Sequence, residues 1–166
     1  FSTVDFNMWP EFSKAILVAL MFVGACAGST GGGIKVSRVM IMLKMVKNEL
    51  SHLIHPKRVR QVTIEGRLVN KEILRSISVF FIAYIVIFAA STLLVSLDNL
   101  DFTTNFTAVA ATLNNIGPGL NEVGPAANFS VYCQPAKFVL MFDMLAGRLE
   151  LFPLLLLFSP STWKRS

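Results

Sequence analysis

The stretch DFTTNFTAVAATLNNIGPGL, residues 101–120, decides the fold. Its first part predicts a helix, since Thr103 or Thr104 can cap it and an apolar run follows to Asn114-Asn115. That leaves about 10 to 12 residues, or roughly 15–18 Å at 1.5 Å per residue. A hydrocarbon core is about 30 Å thick, so this helix cannot cross it. Residues 98–135 contain no Lys or Arg but carry Asp98, Asp101 and Glu122, which keeps both helix ends on one side. A short apolar helix with both ends on one side is a re-entrant segment. Periodicity alone also allows a helix lying flat at the interface. The continuation NNIGPGL, residues 114–120, separates the two: it is extended, glycine-bearing and broken by Pro118. Non-helical backbone at membrane depth survives only when buried in protein or lining a water-filled cavity.

Composition places the chain in a bilayer. Of 166 residues, 54% are hydrophobic and 15% charged, and the mean hydropathy is +0.60. A soluble domain carries about 25% charged residues. Residues 76–97 form an uncharged block of 22, and 136–158 is mostly apolar. The net charge of +5 does not point to nucleic acid, because its distribution is one-sided. Ten of the fifteen basic residues lie between Lys35 and Arg75, and Lys164 and Arg165 close the chain. The positive-inside pattern puts residues 48–72 and the C-terminus in the cytoplasm, and 98–135 outside. Two cysteines, Cys26 and Cys133, carry no disulfide or metal spacing. The chain opens at Phe1, with no basic n-region and cleavage site, and fits a fragment of a longer protein.

Working outward, Trp9-Pro10 predicts an interfacial start and 11–24 an apolar helix. That helix breaks at CAGSTGGGIK, residues 26–35, and resumes from Ile34 to about Leu50. The glycines imitate a phosphate loop, since Gly28 and Gly33 have its spacing. Ile34, however, stands where that loop needs lysine, and the preceding segment is a membrane helix. Gly31, Gly32 and Gly33 would each cost about 1 kcal/mol inside a helix, so the run predicts unwound backbone. Residues 59–64 permit a short strand in the linker. A long span over 73–97 precedes the half-helix, and Pro135 or Ala136 opens a second span to about Phe158. Arg148 falls near the middle of that span, where a charge costs several kcal/mol unless it faces a pore or a partner. Asp143 and Glu150 in the same span read as structural ion-pair partners of another helix. The sequons at Asn105 and Asn128 carry little weight, since Asn105 falls inside the half-helix.

The order span, half-span, extended loop, span is the plan of a potassium-channel pore unit. Four stretches, STVDFNMWP, GACAGSTGGGIKVSR, TAVAATLNNIGPGL and MLAGRLELFPLLLLFSP, resemble in order and separation the membrane subunit of Trk-type potassium transporters, within the Trk/Ktr/HKT group. The resemblance implies an all-α membrane protein. One potassium-channel-like repeat (span, pore helix, filter loop, span) would occupy 73–159, preceded by the second span of another. Residues 1–50 would be the end of a third pore repeat, 51–72 a cytoplasmic linker and 160–166 the cytoplasmic C-terminus.

The resemblance also implies function. Carbonyls of Asn115, Ile116 and Gly117 would form the filter, with K⁺ held at Asn115 and Ile116. Extended carbonyls can replace a cation's hydration shell. Gly28, Gly31, Gly32 and Gly33 would form a gating loop below the filter, and Arg148 would face the pore beside it. Potassium would be cargo, with no further cofactor and no enzymatic activity. The implied partners are the lipid bilayer, a second copy of the full-length subunit and a cytosolic nucleotide-binding regulatory subunit, in the inner (plasma) membrane. The competing reading is a cation-coupled secondary transporter of a different ion, built on broken helices.

Overall fold

The computed structural model describes residues 4–24, 26, 32–55, 63–64 and 67–148. Five α-helices organise them. Helix α1 spans Glu11–Phe22, α2 Val36–Ile54, α3 Lys71–Val95, α4 Phe102–Leu113 and α5 Gln134–Arg148. A two-residue antiparallel pair, β1 (Thr63–Ile64) with β2 (Arg67–Leu68), lies in the linker. The strand expected over 59–64 is thus confined, among the described residues, to its last two positions. Helix α2 runs on to Ile54, past the boundary expected at 50, and α3 begins at Lys71 rather than 73. Residues 149–166, which include Glu150, the end of the last span and the C-terminus, lie outside the described residues.

Among the described residues, one helix with its following 3₁₀ turn, Lys71–Asp98, is long and apolar enough to cross a membrane. Helix α1 ends after 12 residues at the glycine stretch, about 18 Å along.

Helix α4 is the centre of the fold. Nine of its twelve residues are buried, and Ala108, Val109, Ala110, Ala111 and Leu113 have no exposed surface. A helix lying flat on an interface would leave one side uncovered, so burial all round favours the re-entrant reading. Its N-cap is Asp101, whose Oδ2 accepts from Thr103 N at 3.1 Å, and not Thr103 or Thr104 as expected. Three capping residues compete within one turn, and the carboxylate at 101 captures the free N–H. Thr107 instead folds back onto the Thr103 carbonyl at 2.7 Å.

Aromatic residues join the first segment to the rest. Phe80, Tyr84 and Phe88 recur at i, i+4 along α3 and stack at 6.3 and 6.4 Å. Phe88 meets Phe106 of α4 edge-on at 5.1 Å and Phe22 of α1 at 5.5 Å. At the other end the Arg38 guanidinium lies 4.1 Å over the Phe80 ring, tying α2 to α3. Helix α5 packs against both α3 and α4 through Leu140, Asp143 and Ala146, all buried. Asp143 makes no salt bridge among the described residues, contrary to expectation. Its Oδ1 accepts from Ser91 of α3 at 2.6 Å, while its buried Oδ2 has no hydrogen-bond partner.

Candidate ion filter and gate

Helix α4 ends in a hydrogen-bonded turn written into LNNIG. Asn115 N donates to Thr112 O at 3.1 Å and Ile116 N to Ala111 O at 2.9 Å. These are the paired 5→2 and 6→1 bonds of a Schellman motif, which needs a left-handed residue after the cap. Asn115 takes that place at φ 53°. Asparagine tolerates it better than most side chains do. The motif satisfies two carbonyls of the last helical turn and directs the chain away from the helix axis at Ile116.

The next residues are held only at their ends. Gly117 has φ 118°, a region open to glycine, yet a Cβ there would meet nothing within 4 Å. Its glycine is required by backbone, not by space. Gly119 is the reverse: a Cβ would lie 2.7 Å from Val123 Cγ2 and 2.9 Å from Thr107 Oγ1. Gly119 N donates to Val123 O at 2.7 Å, and Leu120 N donates to Thr107 Oγ1 at 2.9 Å. Among the described residues no donor reaches the carbonyl oxygens of Asn115, Ile116 or Gly117. The three expected filter residues therefore run from the left-handed Asn115 to Gly117, pinned to α4 before and after, with carbonyls that meet no donor among the described residues.

Two cavities flank this segment. One, of about 460 Å³, lies towards α5 and includes Ala111, Asn115, Gly117, Lys137 and Met144 in its wall. The other, of about 580 Å³, lies towards α1 and includes Phe6, Trp9, Leu20, Gly32 and Pro118.

The glycine loop reaches the same place. Gly24 N donates to Ile34 O at 2.7 Å, so the chain leaves the line of α1 and returns at one neck. Gly32 and Gly33 then lie directly on the filter turn. A Cβ on Gly32 would sit 2.6 Å from Asn115 Nδ2, and one on Gly33, at φ 75°, would run into Asn114 Oδ1. Gly28 and Gly31, the other expected gate residues, lie outside the described residues.

Arg148 ends the described part of α5 with an exposed side chain. Its neighbour Gly147 packs so closely on the end of α4 that a Cβ would collide with Leu113 O and approach Asn115 Nδ2 to 2.7 Å. The fold thus brings Asn115, Gly32, Gly33 and the backbone next to Arg148 together at one end of α4.

Reasoning from sequence missed three members of this site. Asn114 caps α4, donates to Ala110 O at 2.8 Å and accepts from Tyr84 Oη at 3.0 Å. Gly147 permits the contact of α4 with α5. The paired asparagines before Ile-Gly were a legible signal, because asparagine is the commonest substitute for glycine at a left-handed cap. Tyr84, thirty residues from Asn114, gave no such signal.

Towards the N-terminal end of α4, Asn105 is buried, with Nδ2 on Leu100 O at 3.1 Å and Oδ1 accepting from Tyr132 Oη at 3.0 Å. Both amide atoms of that sequon are in use. Burial pushes the Tyr132 hydroxyl up to about 12, with the Asp98 charge adding to the effect. Asp98 accepts from both the thiol and the backbone N–H of Cys133.

A family model described as "TrkH: Cation transport protein" matches residues 1–165. The chain is 42% identical over 164 residues to the Trk system potassium uptake protein TrkH of Escherichia coli K12, covering 99% of this chain and 34% of that relative. It is 36% identical to the Trk system potassium uptake protein TrkG of the same strain, over 98% of this chain and 33% of that relative. The crystal structure of the potassium transporter TrkH from Vibrio parahaemolyticus superposes with a TM-score of 0.88 at 41% identity, over 99% of this chain and 35% of that one. The chain spans about a third of the length of these relatives.

Proposed function

The chain belongs to the TrkH family of cation transport proteins, and from that premise we propose that it supplies one filter segment and one gating loop of a potassium-conducting membrane subunit. In this reading residues 73–159 are a complete pore repeat and residues 1–50 the end of the repeat before it. The remaining repeats would close the ring around a central pore. The complete subunit would sit in the inner membrane, pair with a second copy and bind a cytosolic nucleotide-binding regulatory subunit.

One observation carries the reading. A half-length helix, buried over nine of its twelve residues, ends in a turn followed by three consecutive carbonyls that meet no donor among the described residues. A helix C-terminus carries partial negative charge, which favours a cation just beyond it. Carbonyls left without a donor supply the oxygens that replace its water. The relatives TrkH and TrkG are potassium uptake proteins. Gly32 and Gly33, lying on Asn115 and Asn114, suit a loop that obstructs the path next to the filter. Arg148, one residue beyond the Gly147 contact, suits a positive barrier at the same level.

The deciding experiment is growth. The complete subunit, expressed in a bacterium lacking potassium uptake, should restore growth at low K⁺. Failure by a protein shown to reach the membrane would remove the potassium reading.

A further inference from the structure

We infer that the side chains of Asn114 and Asn115 are the mechanical link between the glycine loop and the filter, so that moving the loop resets the filter backbone. The inference rests on the filter reading above.

Asn115 occupies a left-handed position where glycine is the common residue and carries no Cβ penalty. Its side chain has work there. Nδ2 donates to Met144 O of α5 at 3.2 Å. Two glycines also come close to this amide. A Cβ on Gly32 would lie 2.6 Å from Nδ2 and 2.8 Å from the Asn115 Cβ, and one on Gly147 would lie 2.7 Å from Nδ2. The slot between loop and helix is one amide wide.

Asn114 repeats the arrangement one residue earlier. Its amide is fixed at both heads, by Ala110 O and by Tyr84 Oη, and the backbone of Gly33 rests on it. The two asparagines are the cap and the left-handed residue of the filter turn. Rotation about the Asn115 backbone swings its own carbonyl, the first rung of the filter. Each side chain touches the loop backbone and is hydrogen-bonded to another helix, Asn115 to α5 and Asn114 to α3, so a displacement of the loop acts on it directly. A shift of Gly32 or Gly33 is therefore delivered to that rung.

A double-mutant cycle in the complete subunit tests this. Gly32→Ala should press on Asn115 and change basal K⁺ flux by at least about fivefold. Asn115→Gly keeps the left-handed backbone and removes the side chain. In that background, adding Gly32→Ala should change flux by less than about twofold. Equal effects of Gly32→Ala in both backgrounds would overturn the link. Thermal melting of the same four proteins decides the contact without transport. Non-additive shifts uphold it, and additive shifts overturn it even if no variant carries K⁺. Tyr84→Phe, which keeps the aromatic stack, should alter the K⁺/Rb⁺ flux ratio, and an unchanged ratio would remove Asn114 from the link.

Discussion

Asn7 and Asn121, 114 positions apart, grip each other as two paired strands would. Asn121 N donates to Asn7 Oδ1 at 3.0 Å, and Asn7 Nδ2 donates to Asn121 O at 3.2 Å. One side chain imitates a backbone and joins the segment before α1 to the loop after the filter. Asn121 also donates through Nδ2 to Asp101, the cap of α4, at 3.0 Å. Asn7→Ala should therefore destabilise the complete subunit by about 1 kcal/mol, the net worth of an accessible hydrogen-bonded pair. The measurement is a melting shift together with faster proteolysis of the 120–128 loop; an unmoved melting curve would dissolve the clamp.

Gly117→Ser places a side chain where φ is 118° and nothing stands within 4 Å. The cost is backbone strain of about 1–3 kcal/mol, met by rotating the carbonyls. Flux assays should show relaxed discrimination of K⁺ over Na⁺, and Gly117→Ala should do the same because bulk is not the cause. Discrimination equal to the parent's would count against the filter assignment.

Deleting Gly31, Gly32 and Gly33 should raise basal flux, because it withdraws the backbone that lies on Asn114 and Asn115. Radiotracer or Rb⁺ uptake into vesicles gives the reading. Flux gated as before would mean that the loop is not the gate.

Ser91→Ala should destabilise by about 1–3 kcal/mol, since it strips the hydrogen-bonded oxygen of a buried carboxyl group whose other oxygen already has no partner. Ser91→Ala with Asp143→Val should melt close to the parent, because an apolar pair of roughly similar volume replaces the polar one. A double variant that melts below the single would refute this account.

Tyr132 gives a pH signature. Its hydroxyl is raised to about 12 in the folded protein, against about 10 in an unfolded chain. Above pH 10 the unfolded chain loses this proton first, so the folded state binds more protons there and stability falls as pH rises. The contribution is complete below about pH 10 and gone above about pH 12. Tyr132→Phe should remove that step from the melting-versus-pH curve.

The sequence disclosed what depends on length and charge. The half-helix followed from its span and from the missing basic residues around it, and the glycine break followed from three residues that no helix tolerates together. The cap at Asp101 did not, because Thr103 and Thr104 offered the same chemistry within one turn. Partnerships across the fold were hidden for a different reason. Asp143 meets Ser91 fifty-two positions away only through the relative rotation of α3 and α5, which no local pattern encodes. A mid-span aspartate therefore suggested an ion pair, while packing supplied a hydroxyl.

The neck formed by Gly24 and Ile34 bears on how such chains can vary. One hydrogen bond closes the excursion where it begins and holds the residues just after α1 beside those just before α2. A change between the neck and Gly32 would therefore reach the candidate filter through Gly32 and Gly33, which lie on Asn115 and Asn114.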